Sequence, residues 1–163
     1  MLMSPAMAGA DTLPVDYDPG VIAACLAAKS GPARGDCIGI GAQYCMARGA
    51  GSSNAGIGFC FGAERDDWDR RLNSAYRILL DRARQTDAEM ARIGSAAPPE
   101  GPALQAMQRA WVAYRDASCQ YEMTTWGGGS GAGPGGAHCE MTLTGAQALR
   151  LMARADDIEG ETQ

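Results

Sequence analysis

The stretch FGAERDDWDRRLNSAYRILLDRARQTDAEMARI, residues 61–93, decides the fold predicted for this chain. It contains no proline, its only glycine is its second residue, and its seven acidic side chains balance seven basic ones. Apolar residues recur at spacings of three, four or seven, which is the period of one face of an α-helix. The stretch therefore predicts an amphipathic helix of about 30 residues, roughly 45 Å long.

Downstream of this helix the sequence predicts two more. The segment GSAAPPEGP, residues 94–102, ends the long helix, because a Pro-Pro pair between glycines cannot continue it. A second helix is predicted for 103–122 and a third, shorter one for 141–159. The packed face of the second helix carries Leu104, Met107, Trp111, Tyr114 and Ser118. Because a short Pro-rich turn joins the two long helices, we expect them to pack antiparallel.

The segments upstream of the long helix are shorter. Residues 21–28 and 37–47 are alanine-rich and apolar, and Gly-Pro and Gly-Asp turn signals separate them, so they predict a small helical hairpin. Residues 49–58 are rich in glycine and serine and are expected to be a connector. The predicted fold class is an all-α, disulfide-stapled domain with a long antiparallel helix pair, a short N-terminal hairpin and a short C-terminal helix. We expect the hairpin and connector to occupy 11–59, and the main helical domain to occupy 60–159.

The cysteines indicate disulfides rather than a metal site. There are six, Cys25, Cys37, Cys45, Cys60, Cys119 and Cys139, without a CxxC motif, and the chain has one histidine. An even set of this kind is typical of proteins in oxidising compartments. Of the fifteen possible connectivities, we predict Cys25–Cys37, Cys45–Cys60 and Cys119–Cys139, because each pair spans a single turn or loop.

The N-terminus, MLMSPAMAGADT, resembles the end of a secretory signal peptide. Ala6-Met7-Ala8 and Ala8-Gly9-Ala10 have the small-x-small form that a signal peptidase cleaves, although a basic n-region is missing. We expect residues 1–10 to be a signal remnant and the protein to be periplasmic or secreted from a bacterium. The alternative is an ordinary disordered N-terminus. No apolar run approaches the length of about 18 residues that a membrane helix needs.

The charge and the polar residues favour a binding protein over an enzyme. A net charge of −5 disfavours nucleic acid and anionic membranes as partners, and it either attracts basic proteins or only maintains solubility. The acidic cluster from Glu64 to Asp69 is interleaved with arginines, as on a solvated helix face. No nucleophile motif accompanies His138, so we predict no catalytic residue, and we predict neither a cofactor nor a metal.

Two sets of residues on the long helices resemble a known family. The first set contains Glu64, Trp68, Leu72, Asn73 and Tyr76. The second set contains Gln108, Trp111, Arg115 and Cys119, and Cys139 follows it. These residues match the E…W-D…L-N…Y and Q-x-x-W-x-x-x-R-x-x-x-C pattern of the lysozyme inhibitor LprI-like N-terminal domain family, from about Cys60 to Arg154.

The resemblance implies a small secreted or periplasmic helical domain that binds a protein and inhibits lysozyme-type muramidases. Because the chain is acidic, a basic lysozyme is the expected partner. The alternative is a cell-envelope structural or stress-related interaction domain without inhibitory activity. From the spacing of the residues, we expect the motif side chains other than cysteine to fix the packing of the two long helices, with Trp111 buried between them. One departure from the family pattern is Gln147, which stands where an arginine often follows Thr144.

Seven of the ten residues from Gly127 to Gly136 are glycines, and Cys119 and Cys139 flank this run. Glycine loses more conformational entropy on ordering than other residues do, so the run predicts a loop whose base is stapled by a disulfide. The loop is either a spacer or a thin binding loop that probes an enzyme cleft. In the second case Trp126, Ser130 and His138 are the candidate contact residues.

Overall fold

The structure, a computed structural model, describes residues 15–161, and this part of the chain is all-α, as predicted. Its five α-helices are α1 (Gly20–Ala28), α2 (Ile40–Met46), α3 (Asn54–Arg92), α4 (Glu100–Thr125) and α5 (Ala132–Glu161). Two short 3-10 helices, Gly31–Cys37 and Gly49–Ser52, connect the first three. The predicted signal remnant, residues 1–10, lies outside the described residues. None of the helices described has both the length and the hydropathy of a membrane span.

Helix α3 begins at Asn54, inside the segment predicted to be a connector. Its N-cap is Ser53, whose side-chain oxygen accepts a hydrogen bond from the backbone N–H of Gly56 at 3.0 Å. Serine is among the preferred N-cap residues because it satisfies an N–H group that has no partner within the helix. The connector is therefore reduced to the 3-10 helix Gly49–Ser52, and α3 spans 39 residues.

A carboxylate fixes the corner between α3 and α4. Asp87, near the end of α3, accepts hydrogen bonds from the backbone N–H groups of Glu100 and Gly101 at 2.6 and 2.9 Å. Pro102 lies within the first turn of α4, where the missing N–H group would have no partner in the helix. The two helices therefore run in opposite directions, as predicted, and α4 begins three residues earlier than expected.

Helix α5 is longer than predicted, because half of the glycine run belongs to it. Only residues 126–131 form the turn after α4, and α5 covers 30 residues from Ala132 onward. A Cβ atom at Gly136 would lie 2.7 Å from the side chain of Met123 on α4. The second half of the run is therefore helical, and Gly136 lies where α4 and α5 approach closely, whereas the sequence predicted a loop for the whole run.

The closest pair of long helices is α3 and α5, which run parallel, and not α3 and α4. Near the start of both helices Arg65 Nη1 contacts Glu140 Oε2 at 2.8 Å, and farther along Ala75 and Ala155 line the same pocket. Helix α4 connects the end of α3 to the start of α5, and it packs antiparallel to α5. The core is centred on α3 and α5. Its buried members include Trp68, Leu72, Ala75, Leu79, Met141, Ala148, Leu151 and Ala155.

The three predicted disulfides are the ones present, and each joins consecutive elements. Cys25–Cys37 ties α1 to the following 3-10 helix, Cys45–Cys60 ties α2 to α3, and Cys119–Cys139 ties α4 to α5. Their sequence separations are 12, 15 and 20 residues. In the chain-entropy model, each closed loop of this length destabilises the unfolded state by roughly 3 kcal/mol.

Candidate functional site

A buried carboxylate holds the N-terminal hairpin on the long helices. Glu64 is completely buried, and its Oε1 atom accepts hydrogen bonds from the backbone N–H of Gly39 at 2.6 Å and from Trp68 Nε1 at 2.8 Å. Its Oε2 atom accepts from the backbone N–H of Ala42, also at 2.6 Å. Two of these donors lie at the start of α2, where the orphan N–H groups of a helix favour a negative charge. The carboxylate is fully engaged within the protein.

The neighbouring Asp67 anchors the segment that precedes α1. Tyr17 donates a hydrogen bond to Asp67 Oδ2 at 3.4 Å, and the same carboxylate pairs with Arg70 and Arg71 at 3.1 and 3.3 Å. Burial, and then the negative charges of Asp67 and Glu64, raise the pKa of Tyr17 well above its ordinary value. The neutral phenol is thus the favoured form in this position, and the cluster ties the start of the described chain to α3.

The remaining motif residues contribute to the helix contacts unequally. Asn73 is exposed and donates a hydrogen bond to Asp69 at 2.7 Å, and Tyr76 packs half-buried against the core. Gln108 accepts a hydrogen bond at 3.2 Å from Nε2 of Gln147, which is buried on α5. The residue that departs from the family pattern is therefore the partner of a motif residue. The sequence analysis did not identify this contact, nor the inward orientation of the Gln147 side chain.

Trp111 is not the buried tryptophan of the domain. It is half-buried and packs against the edge of the core, whereas Trp68 is completely buried. The guanidinium of Arg115 lies 5.1 Å from the centre of the Trp111 ring, and it also contacts Asp116 at 2.7 Å. The expectation of a buried Trp111 was wrong, because α5 rather than α4 occupies the inner face of α3.

Trp126 ends α4 and covers the first turn of α5. Its side chain is 48% exposed, and its Nε1 atom lies 3.4 Å from Glu122 Oε1. Cβ atoms at Gly131 and Gly135 would lie only 2.3 and 2.5 Å from the indole. Glycine at these two positions allows the ring to lie directly on the backbone of the turn. The turn is consequently a compact structure.

The other two residues assigned to the binding loop both contact α3. Ser130 is in the turn, and its hydroxyl accepts a hydrogen bond from Asn54 Nδ2 at 3.0 Å. His138 belongs to α5, and its ring meets the ring of Phe61 on α3 edge-on, with centroids 4.8 Å apart. The structure therefore distributes these three residues over the end of α4, the turn and the first half of α5.

Exposed aromatic side chains are concentrated in the second half of α4. Tyr114 and Tyr121 are 61% and 72% exposed, and Trp126 follows at the end of the helix. The two tyrosines are seven residues apart, so they lie on the same side of α4. Tyr114 was expected on the packed face, but it lies at the edge of that face. We call Tyr114, Tyr121 and Trp126 the α4 aromatic set.

A shallow groove lies between α4 and α5 beside the aromatic set. Its lining consists of Tyr114, Ser118 and Glu122 from α4, and of His138, Cys139, Thr142 and Leu143 from α5. Residues 100–161 carry eight carboxylate side chains and four arginines, and three of these carboxylates, Asp116, Glu122 and Glu140, belong to the halves of α4 and α5 that form the groove. Within residues 15–161, no group of three or more His, Cys, Asp and Glu side chains is arranged to hold a metal ion. Exposed tyrosine and tryptophan rings of this kind are enriched at protein–protein interfaces.

Comparison with known proteins identifies a family over most of the chain. Residues 45–151 match the sequence profile of a family described as Lysozyme inhibitor LprI. A curated relative, an uncharacterized protein of Rhizobium meliloti (strain 1021), is 38% identical over 52 residues, which are 32% of this chain and 37% of that protein. The alignment thus spans little more than a third of the relative. No solved structure matches the chain significantly.

Proposed function

The chain belongs to the lysozyme inhibitor LprI family, and from this premise we propose that it binds and inhibits a lysozyme-type muramidase outside the cytoplasm. A family of inhibitors favours a binding role over catalysis. The three disulfides support the proposed location, because such bonds persist in oxidising compartments such as the bacterial periplasm. A signal remnant at residues 1–10 would agree with this location.

We assign the contact with the enzyme to the α4 aromatic set and the turn that follows it. The observation that carries this assignment is the exposure of these three aromatic side chains, which is between 48% and 72%. Tyrosine and tryptophan are enriched among the residues that dominate binding energies, because they bury a large area at a small cost in side-chain entropy. The Cys119–Cys139 bond fixes the helices that carry these residues, so little ordering is required on binding.

The experiment combines binding and activity measurements. Purified mature protein is tested in pull-downs and muramidase assays against c-type, g-type and phage-type lysozymes. We expect inhibition of at least one class. Trp126→Ala and Tyr121→Ala should each raise the inhibition constant by about tenfold or more, as expected for interface hot spots. Ile93→Ala is the matched control, because Ile93 is 57% exposed but lies at the opposite end of the long helices.

Ionic strength provides a second readout of the proposed contact. A basic lysozyme and this acidic protein attract each other electrostatically. At physiological ionic strength, salt limits the range of this attraction to about 8–10 Å. The association rate constant should therefore fall as salt is added, while the dissociation rate constant changes less. Failure of the parent protein to inhibit any of the three classes would overturn the proposal. Binding without inhibition would instead favour a cell-envelope interaction domain.

A further inference from the structure

The groove between α4 and α5 contains a carboxylate that lacks a cationic partner among residues 15–161. Glu122 is half-buried, and its side chain is contacted by Trp126 Nε1 at 3.4 Å, a neutral donor. The carboxylates around it are paired differently. Asp116, on the same helix, binds Arg115 at 2.7 Å, and Glu140, on the facing helix, binds Arg65 at 2.8 Å. Glu122 is thus a charged side chain in a groove with capacity for further hydrogen bonds.

The walls of the groove are suited to a cation with an apolar stem. Tyr114 contributes an exposed ring on the α4 side of the groove, and Leu143 contributes an apolar side chain on the α5 side. A guanidinium or ammonium group is attracted to the face of an aromatic ring, and the methylene groups of arginine and lysine pack well on apolar surface. Ser118 and Thr142 add hydroxyl groups that can accept hydrogen bonds from the same cation.

We propose that this groove binds a cationic side chain, an arginine or a lysine, that projects from a basic partner protein. In this arrangement the charged end of the side chain reaches Glu122 and its stem lies along Tyr114. The net charge of −5 attracts such a basic partner to the protein, and Glu122 is the carboxylate in this groove that has no cationic partner among residues 15–161. The inference rests on the proposed function, since it names the chemistry of the contact next to the α4 aromatic set.

The test uses a short peptide as the probe and the full mature chain as the receptor. Acetyl-Gly-Arg-Gly-amide is titrated into the isotope-labelled protein at constant pH. We expect the backbone amide signals of residues 118, 122 and 142 to shift in a saturable way. The matched probe is the same peptide with citrulline, which has nearly the shape of arginine but no charge. It should shift these signals little.

Two variants that each remove one negative charge distinguish binding in the groove from a general effect of surface charge. Glu122→Gln should remove the arginine-dependent shifts and should weaken the binding of a basic c-type lysozyme about tenfold, as expected for the loss of a hydrogen bond to a charged group. Glu100→Gln lies on the same helix, 22 residues away or about 33 Å, and should bind the peptide like the parent. Thermal melting of both variants verifies that each is folded.

The outcomes distinguish this inference from the proposed function. Equal shifts with the arginine and citrulline peptides, or undiminished shifts in Glu122→Gln, would overturn the groove assignment even if the protein inhibits lysozyme. A charge-dependent shift lost in Glu122→Gln would support the groove even if no lysozyme is inhibited, and the proposed function alone would then be abandoned.

Discussion

Replacement of Glu64 by glutamine tests whether the buried carboxylate holds the N-terminal hairpin on α3. The side chain accepts three hydrogen bonds, two at Oε1 and one at Oε2, with lengths of 2.6–2.8 Å. Glutamine offers one oxygen and one NH₂ group, so at least one buried N–H donor would face another donor. A buried donor left without an acceptor costs about 1–3 kcal/mol, and the other bonds lose the strengthening that the negative charge provides.

Relief of the desolvation cost of a buried charge offsets part of this loss. We therefore expect Glu64→Gln to lower the free energy of unfolding by about 2–4 kcal/mol. For a domain of this size, that corresponds to a melting temperature roughly 5–15 °C lower. Urea unfolding followed by circular dichroism at 222 nm measures the change, since loss of the hairpin and of α3 both reduce helicity.

A matched control and a double-mutant cycle make this prediction sharp. Asp66→Asn removes a charge from the same helix, but Asp66 is an exposed partner of Arg65, so its loss should cost less than about 1 kcal/mol. Trp68→Phe removes the hydrogen bond to Glu64 together with part of a completely buried ring. It should be less than additive with Glu64→Gln, because the negative charge that strengthens this hydrogen bond is already absent in the glutamine variant. A loss below about 1 kcal/mol for Glu64→Gln, or full additivity of the pair, would refute the reasoning.

Three further predictions follow from the described geometry. Trp111→Ala should destabilise the domain by about 1–3 kcal/mol in urea unfolding, less than a fully buried tryptophan would, because its ring is half-buried; a loss above that range would mean that Trp111 is central to the packing. Tyr17 should titrate later than an ordinary phenol in an ultraviolet pH titration, because burial and Asp67 raise its pKa. Its contribution to stability is complete below the unfolded value of 10.0 and falls as the pH rises toward the folded pKa, and Tyr17→Phe should remove the late step. Gly135→Ala should displace the Trp126 ring and shift tryptophan emission to the red, whereas Gly133→Ala, with open space around its Cβ position, should leave the emission unchanged and stabilise α5 by up to about 1 kcal/mol. Equal emission spectra for the two variants would contradict the close approach.

Local patterns in the sequence predicted most of the helices and all three disulfides. The 3.6-residue period of α3 and the helix break at Pro98 and Pro99 depend only on neighbouring residues, so both can be predicted without the tertiary structure. The pairing of the cysteines could be predicted because each disulfide closes a short segment of the chain. The Ser53 cap was also present in the sequence, but the glycines that follow it obscured the start of α3.

The parts that were not predicted depend on contacts between distant residues. Glycines 131, 135 and 136 have low helix propensity, which favours a loop, but in the protein they admit the side chains of Trp126 and Met123. The same limit applies to the choice of partner for α3. The short turn before α4 favoured α4 as the main packing partner of α3, whereas α5 packs most extensively against α3 in the structure.

The residues of the proposed binding surface were harder to predict than the fold. Exposure of Tyr114 depends on where α5 lies around α4, and the helical period alone leaves residues at the edge of a face undecided. The pairing state of Glu122 likewise depends on which arginines the fold brings near it. Sequence reasoning found Trp126 and His138 but assigned them to a loop, and it did not identify Tyr121 or Glu122.

The parallel arrangement of α3 and α5 also determines the order in which the chain can fold. Asn54 meets Ser130 and Arg65 meets Glu140, so partners in this pair are about 75 residues apart in sequence. Closing a loop of that length costs roughly 4 kcal/mol of chain entropy before any contact offsets it. The hairpin at the N-terminus and the α4–α5 hairpin can form locally, but the core must wait for the last residues of α5. A chain threaded through a membrane from its N-terminus would therefore complete its core only after nearly all of it has emerged, and the α4–α5 disulfide can form before that step.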